Sequence, residues 1–143
     1  MRAVVQRVSR AQVTVHGDVV GQIGQGWCAL VGVTHSDTET QAHKLADKIA
    51  NLRMFDDDNG VMNRSVTDID GAILVVSQFT LYGDASKGRR PAWGAAAPAP
   101  VAEPLVVAVV DRLLALGLTV ETGRFQADMV VDITNVGPAT LVI

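Results

Sequence analysis

The run Trp27-Cys28-Ala29-Leu30-Val31-Gly32-Val33 constrains the fold more than any other segment. It is a continuous apolar stretch of strand length, consistent with a strand buried on both faces. The elements around it are of mixed type. Ala3 to Val8 and Ala11 to Val15 carry β-branched residues, and the Gly17-Asp18 pair turns the chain into Val19 to Ile23, a hairpin signal. Ser36 with Glu39 three residues later fits a capping box. Ala42, Leu45, Ala46, Ile49 and Leu52 follow at helical spacing, so a helix is expected to run to about Arg53. Asp57-Asp58-Asn59-Gly60 reads as a turn, and Ile73 to Leu81 as a central strand. Gly94 to Pro100, rich in Ala and Pro, reads as an ordered loop leading into a second helix. Pro104 near its start and Gly117 at its end bracket that helix, with Leu105, Val109, Leu113 and Leu116 inward. Leu118 to Glu121, Met129 to Ile133 and Thr140 to Ile143 are further strands. The pattern predicts an α+β fold: one domain over residues 1–143, with a curved mixed sheet or barrel flanked by two helices.

Several function classes fall away on bulk properties. A chain of 143 residues, 48% of them hydrophobic, holds one core without metals or disulfides. Cys28 is the single cysteine, which suits a reducing compartment. No signal peptide and no membrane-spanning apolar run is visible, so a cytoplasmic location is expected. The net charge of −3 argues against nonspecific nucleic-acid binding but leaves room for gripping an RNA end. Nine of the twelve cations are Arg, which suits fixed bidentate contacts.

The usual catalytic constellations are missing. There is no Gly-x-Ser-x-Gly elbow, no Walker loop and no His-Glu-x-x-His. His16, His35 and His43 lack an evident partner and read as surface residues; Cys28 reads as a buried, inert thiol. The acidic run from Asp56 fails the calcium-loop pattern, which needs Gly at its sixth position and Glu at its twelfth; Val61 and Thr67 stand there. No metal site and no cofactor is expected.

Two segments remain. Ser77-Gln78-Phe79-Thr80 closes the strongest strand, where polar residues either line a pocket mouth or merely mark a half-exposed strand. Asn135-Val136-Gly137-Pro138-Ala139-Thr140 holds a Gly-Pro pair that, read alone, is a turn between strands.

Together the two segments resemble the signature motifs of the D-aminoacyl-tRNA deacylase family, Ser-Gln-Phe-Thr and Asn-x-Gly-Pro-Val-Thr, with Ala139 in place of Val. Val5-Gln6-Arg7-Val8 with Val13-Thr14-Val15, Met62-Asn63, and Thr122 through Met129 also look like that family, so the resemblance covers essentially the whole chain. Lys87-Gly88-Arg89-Arg90-Pro91 resembles its basic loop, with Ala92-Trp93 replacing a commoner Ser-Phe pair.

The resemblance implies hydrolysis of the ester linking a D-amino acid to the 3′ end of tRNA, in a homodimer and without a cofactor. It implies catalytic roles for Ser77, Gln78, Phe79 and Thr80 through backbone oxyanion donors. For the Ser77 and Thr80 side chains, strand-end hydrogen bonding is an equally open role. Chirality is expected to be gauged by a cis Gly137-Pro138 bond, inserted from one subunit into the site of the other. Arg7 and Asn135 would support that loop, and Phe125, Ala127 and Met129 would frame the pocket with Phe79. Lys87, Arg89 and Arg90 would meet tRNA phosphates. The competing readings are a surface cation for Arg7, core packing for the aromatics, and a solvated loop for the three cations. The competing function is a tRNA 3′-end binding module without catalysis. A gauge that rejects only L side chains should also admit glycyl esters.

Overall fold

The computed structural model describes all of residues 1–143. Eight strands, two α-helices and a short 3₁₀ helix follow in the order β1 (Arg2–Val15), β2 (Asp18–Ile23), β3 (Gly26–Gly32), α1 (Glu39–Asn51), β4 (Phe55–Asp56), β5 (Met62–Arg64), β6 (Ala72–Ser77), the 3₁₀ helix (Phe79–Tyr82), α2 (Ala99–Ala115), β7 (Thr119–Thr122) and β8 (Val130–Val142). Six strands form one mixed sheet in the order β2-β1-β3-β6-β7, with β8 also paired to β1; β4 and β5 make a separate small hairpin. The expected α+β class therefore holds. β3 pairs in parallel with β6, and Trp27, Cys28, Ala29 and Val31 are buried. The sheet curls until β2 meets β7: a Cβ on Gly21 would lie 2.3 Å from the Thr122 carbonyl oxygen, so only glycine permits the approach.

The sheet has two apolar faces. Ile73 and Val75 of β6 face α1 and α2, joining Trp27, Ile49, Val109 and Leu113 in one core. Leu74 and Val76 point the other way, into the curl, with Val8, Ala11, Val13, Val15 and Cys28. Burying each such Val, Ile or Leu stabilises the fold by roughly 1.5–3 kcal/mol. β1 serves both cores. Its buried residues run Ala3 and Val5 on the helix side, then Val8, Ala11, Val13 and Val15 inside the curl. Strict alternation would keep one face throughout; the two three-residue steps, Val5 to Val8 and Val8 to Ala11, coincide with register shifts against β8. They also mark where β1 changes partner, from β3 along Arg2–Val8 to β2 along Ala11–Val15.

Local readings from the sequence need correction in four places. The two segments Ala3 to Val8 and Ala11 to Val15 form one strand of 14 residues. The N-cap of α1 is Thr38, not Ser36. The Asp37 carboxylate accepts from the Thr34 N–H at 2.7 Å and from the Met1 amine, which delays the helix by two residues. Gln41 then accepts from the Thr38 N–H at 2.9 Å. The strand expected to reach Leu81 stops at Ser77, because β3 ends at Gly32 and the Gln78 N–H closes the ladder on the Val31 carbonyl at 2.7 Å. Finally, α2 starts at Ala99, so Pro104 lies inside it, and Leu116 falls beyond its end and is exposed. No helix is long and apolar enough to cross a membrane.

Candidate active site

β6 delivers the first motif. Where its ladder ends, Gln78 turns the chain (φ −141°, ψ 79°) into the 3₁₀ helix. Ser77, Gln78 and Phe79 thereby reach a cleft of about 550 Å³. Its far wall is Phe125, Ala127 and Met129, from the segment between β7 and β8. Six residues singled out from the sequence thus converge on one cavity. Thr80 stands beside it, one residue further on, its Oγ1 accepting a hydrogen bond from Gln78 Nε2. The N–H groups of Phe79 and Thr80 open the 3₁₀ helix and have no carbonyl within it to bond.

The cleft holds no nucleophile with its base. None of the three histidines lines it, and the partner of the Thr80 hydroxyl is a neutral amide donor. Cys28 is fully buried in the core, where desolvation pushes its thiol up to about 11. No group of three or more His, Cys, Asp or Glu side chains is placed to hold a metal ion. Asp128 contributes the cleft's one carboxylate.

The second motif is neither a turn between two strands nor a cis element. All peptide bonds are trans, Gly137–Pro138 among them. The segment lies within the continuous strand β8. Opposite it, β1 advances from Gln6 to Val8, a step of two, while β8 goes from Thr140 back to Asn135, a step of five. Val136 to Ala139 therefore bulge out of the ladder opposite Arg7. Gly137 accommodates this with φ +113°, a conformation L side chains rarely adopt, and that freedom bends the chain without a cis bond. Two side chains hold the bulge. Asn135 Nδ2 donates to the Arg7 and Ala139 carbonyls, both at 3.0 Å, across its neck. Arg7 Nε donates to the Val136 carbonyl at 3.2 Å, and Nη1 to the Met54 carbonyl at 2.7 Å. Nη1 also lies 3.4 Å from Asp56. The Arg7 side chain is only 13% exposed, so the surface-cation reading fails.

The two motifs do not meet within one chain. Arg7 and Val136 line a second cleft of about 340 Å³, and none of its residues lines the first. Lys87, Arg89 and Arg90 sit on an exposed loop closed by a bridge between Asp84 and Ala92. Sequence reasoning missed Ala97, Ala99 and Ala102, whose small side chains leave the volume of the first cleft open. The Ala-rich run was visible but carried no sign of what it faced. Trp93 was noticed only as a departure, yet its ring meets that of Phe79 edge to face with centroids 5.3 Å apart.

These features define a class: an α+β domain whose cleft offers backbone donors and shape in place of a nucleophile with its base. The family model described as D-Tyr-tRNA(Tyr) deacylase matches residues 4–143. The chain belongs to that family. It is 58% identical over 143 residues to the D-aminoacyl-tRNA deacylase of Symbiobacterium thermophilum, covering 100% of this chain and 95% of that one. It is 59% identical over 148 residues to the enzyme of the same name from Streptomyces avermitilis, covering 100% and 99%. Among solved structures, the c-Myc DNA unwinding element binding protein superposes with a TM-score of 0.93 at 40% identity, over 100% of this chain and 97% of that one. A probable eukaryotic D-amino acid tRNA deacylase shares the fold, with a TM-score of 0.84 at 16% identity over 99% and 97%.

Proposed function

We infer that the cleft at the end of β6 hydrolyses the ester between a D-amino acid and the terminal ribose of tRNA, releasing both. The observation that carries this is the gathering of Ser77, Gln78 and Phe79 against Phe125, Ala127 and Met129 in a cavity with no nucleophile–base pair. An aminoacyl ester is already activated, so positioning plus oxyanion stabilisation is enough to lower the remaining barrier. Water attacks the carbonyl carbon, and the N–H groups of Phe79 and Thr80 receive the developing oxyanion. The ribose oxygen leaves with a proton, and the neighbouring hydroxyl of the same ribose positions the water. Lys87, Arg89 and Arg90 meet phosphates of the acceptor end. A cytoplasmic location is consistent with a charged tRNA substrate.

The chiral filter comes from a second copy. β8 is paired along one edge only, by β1, and exposes Val130, Val136 and Val142. A strand of 13 residues with an open edge and apolar surface calls for cover. A homodimer supplies it and carries the Val136–Ala139 bulge of one subunit toward the cleft of the other. There the backbone at Gly137 and Pro138 stands where an L side chain would point, while D-aminoacyl and glycyl esters fit.

The test is deacylation of matched D- and L-aminoacyl-tRNA, with light scattering on the same sample. D esters should be hydrolysed and L esters spared by a dimer. Binding of the charged RNA end without turnover would make the protein a binding module instead. Full activity in a monomer would sink the cross-subunit filter.

A further inference from the structure

Phe79 and Trp93 are two large aromatic side chains left 56% and 43% exposed, side by side. Their rings are not loose. A Cβ on Gly83 would come within 2.6 Å of Trp93 Cζ3, although the Gly83 backbone (φ −67°, ψ 130°) is ordinary for any residue. Glycine there makes room for the indole, which is held between Gly83 and the Phe79 ring. Trp93 also stands at the foot of the loop carrying Lys87, Arg89 and Arg90, directly after Ala92 of the Asp84–Ala92 bridge that closes it. None of the three takes part in an ion pair. A fixed, exposed aromatic beside free cations is the combination that binds single-stranded nucleic acid, by base stacking and phosphate contact.

We propose that Trp93 is the stacking platform for the unpaired base preceding the terminal adenosine of the RNA, with the loop cations on the adjoining phosphates. The proposal rests on the reading of the cleft as the aminoacyl-adenosine site. Phe79 lines that cleft and Trp93 does not. A base on Trp93 therefore belongs one nucleotide further along the strand than the esterified one.

The protein's two tryptophans make the test direct. Trp27 is fully buried, so a ligand reaching an exposed indole reaches Trp93. The full-length protein is titrated with the trinucleotide CCA and, separately, with adenosine. CCA should quench the exposed indole's emission and adenosine should not. With D-aminoacyl-tRNA, Trp93→Leu should raise KM about tenfold, the worth of one lost stack, and leave kcat within about twofold. Trp93→Phe should restore KM to near wild type, and Gly83→Ala, which displaces the ring, should raise it. No quenching by CCA, equal quenching by adenosine, or a Trp93→Leu defect confined to kcat would overturn the platform. A wild type quenched by CCA but unable to hydrolyse D-aminoacyl-tRNA would support the platform and defeat the proposed reaction.

Discussion

Replacing Gly137 by Ala strikes the bulge in two separable ways. The first is local: φ +113° costs an L residue about 1–3 kcal/mol. The second is a contact, because the new Cβ would lie 2.7 Å from Arg7 Nη2. The guanidinium has to retreat and loosens its bond to the Val136 carbonyl, worth about 0.5–1.5 kcal/mol at this half-open site. The sum is about 1.5–4.5 kcal/mol, which for a chain of this size lowers Tm by roughly 5–13 °C. Only the second contribution depends on Arg7. In an Arg7→Ala background the clash is absent and the bond already lost, so Gly137→Ala should cost only the backbone share. The double variant should therefore be about 1 kcal/mol less destabilised than the sum of the singles. Thermal and denaturant unfolding of the four proteins, at one fixed protein concentration, measures the cycle. Additivity within about 0.3–0.5 kcal/mol would refute the claim that Arg7 buttresses the bulge at Gly137. Deacylation of every D substrate should weaken in both single variants, since both deform the bulge.

Thr80→Ala should keep substantial deacylation, because its hydroxyl has Gln78 for a partner and no base; a loss of several orders of magnitude, or an acyl-enzyme trapped on Thr80, would make it the nucleophile. Strong chelation should leave protein-catalysed turnover unchanged, since no side-chain cluster is placed to ligate a divalent ion; restoration by one ion after a chelator-induced loss would contradict this. Burial raises the Cys28 thiol from 9.0 to about 11, so its contribution to stability is in place below pH 9 and is lost as pH rises through about 11. Cys28→Ala should remove that part of the alkaline loss of stability, and native Cys28 should resist alkylation at pH 8 until denaturant is added.

The sequence alone determined the α+β class, both helices and the twice-buried strand β3, and its motifs pointed to six of the residues that line the cleft. These depend on periodicity and on motif chemistry, which are properties of consecutive residues. Ile73 to Val76 alternate between two cores, and that alternation is legible one residue at a time. Register is different, because it belongs to a pair of strands. Nothing in Asn135 to Thr140 reveals that five steps of β8 face two steps of β1, so the Gly-Pro pair read as a turn, and its bond as cis, until both strands were in place. The start of α1 moved to Thr38 because partners distant in the fold engage Asp37. Arg7 proved a half-buried clamp because its guanidinium donates to carbonyls of two separate segments, at Val136 and Met54. Only the tertiary structure could decide these points, since a bulge, a delayed cap and a half-buried cation each take their energy from groups far away along the chain.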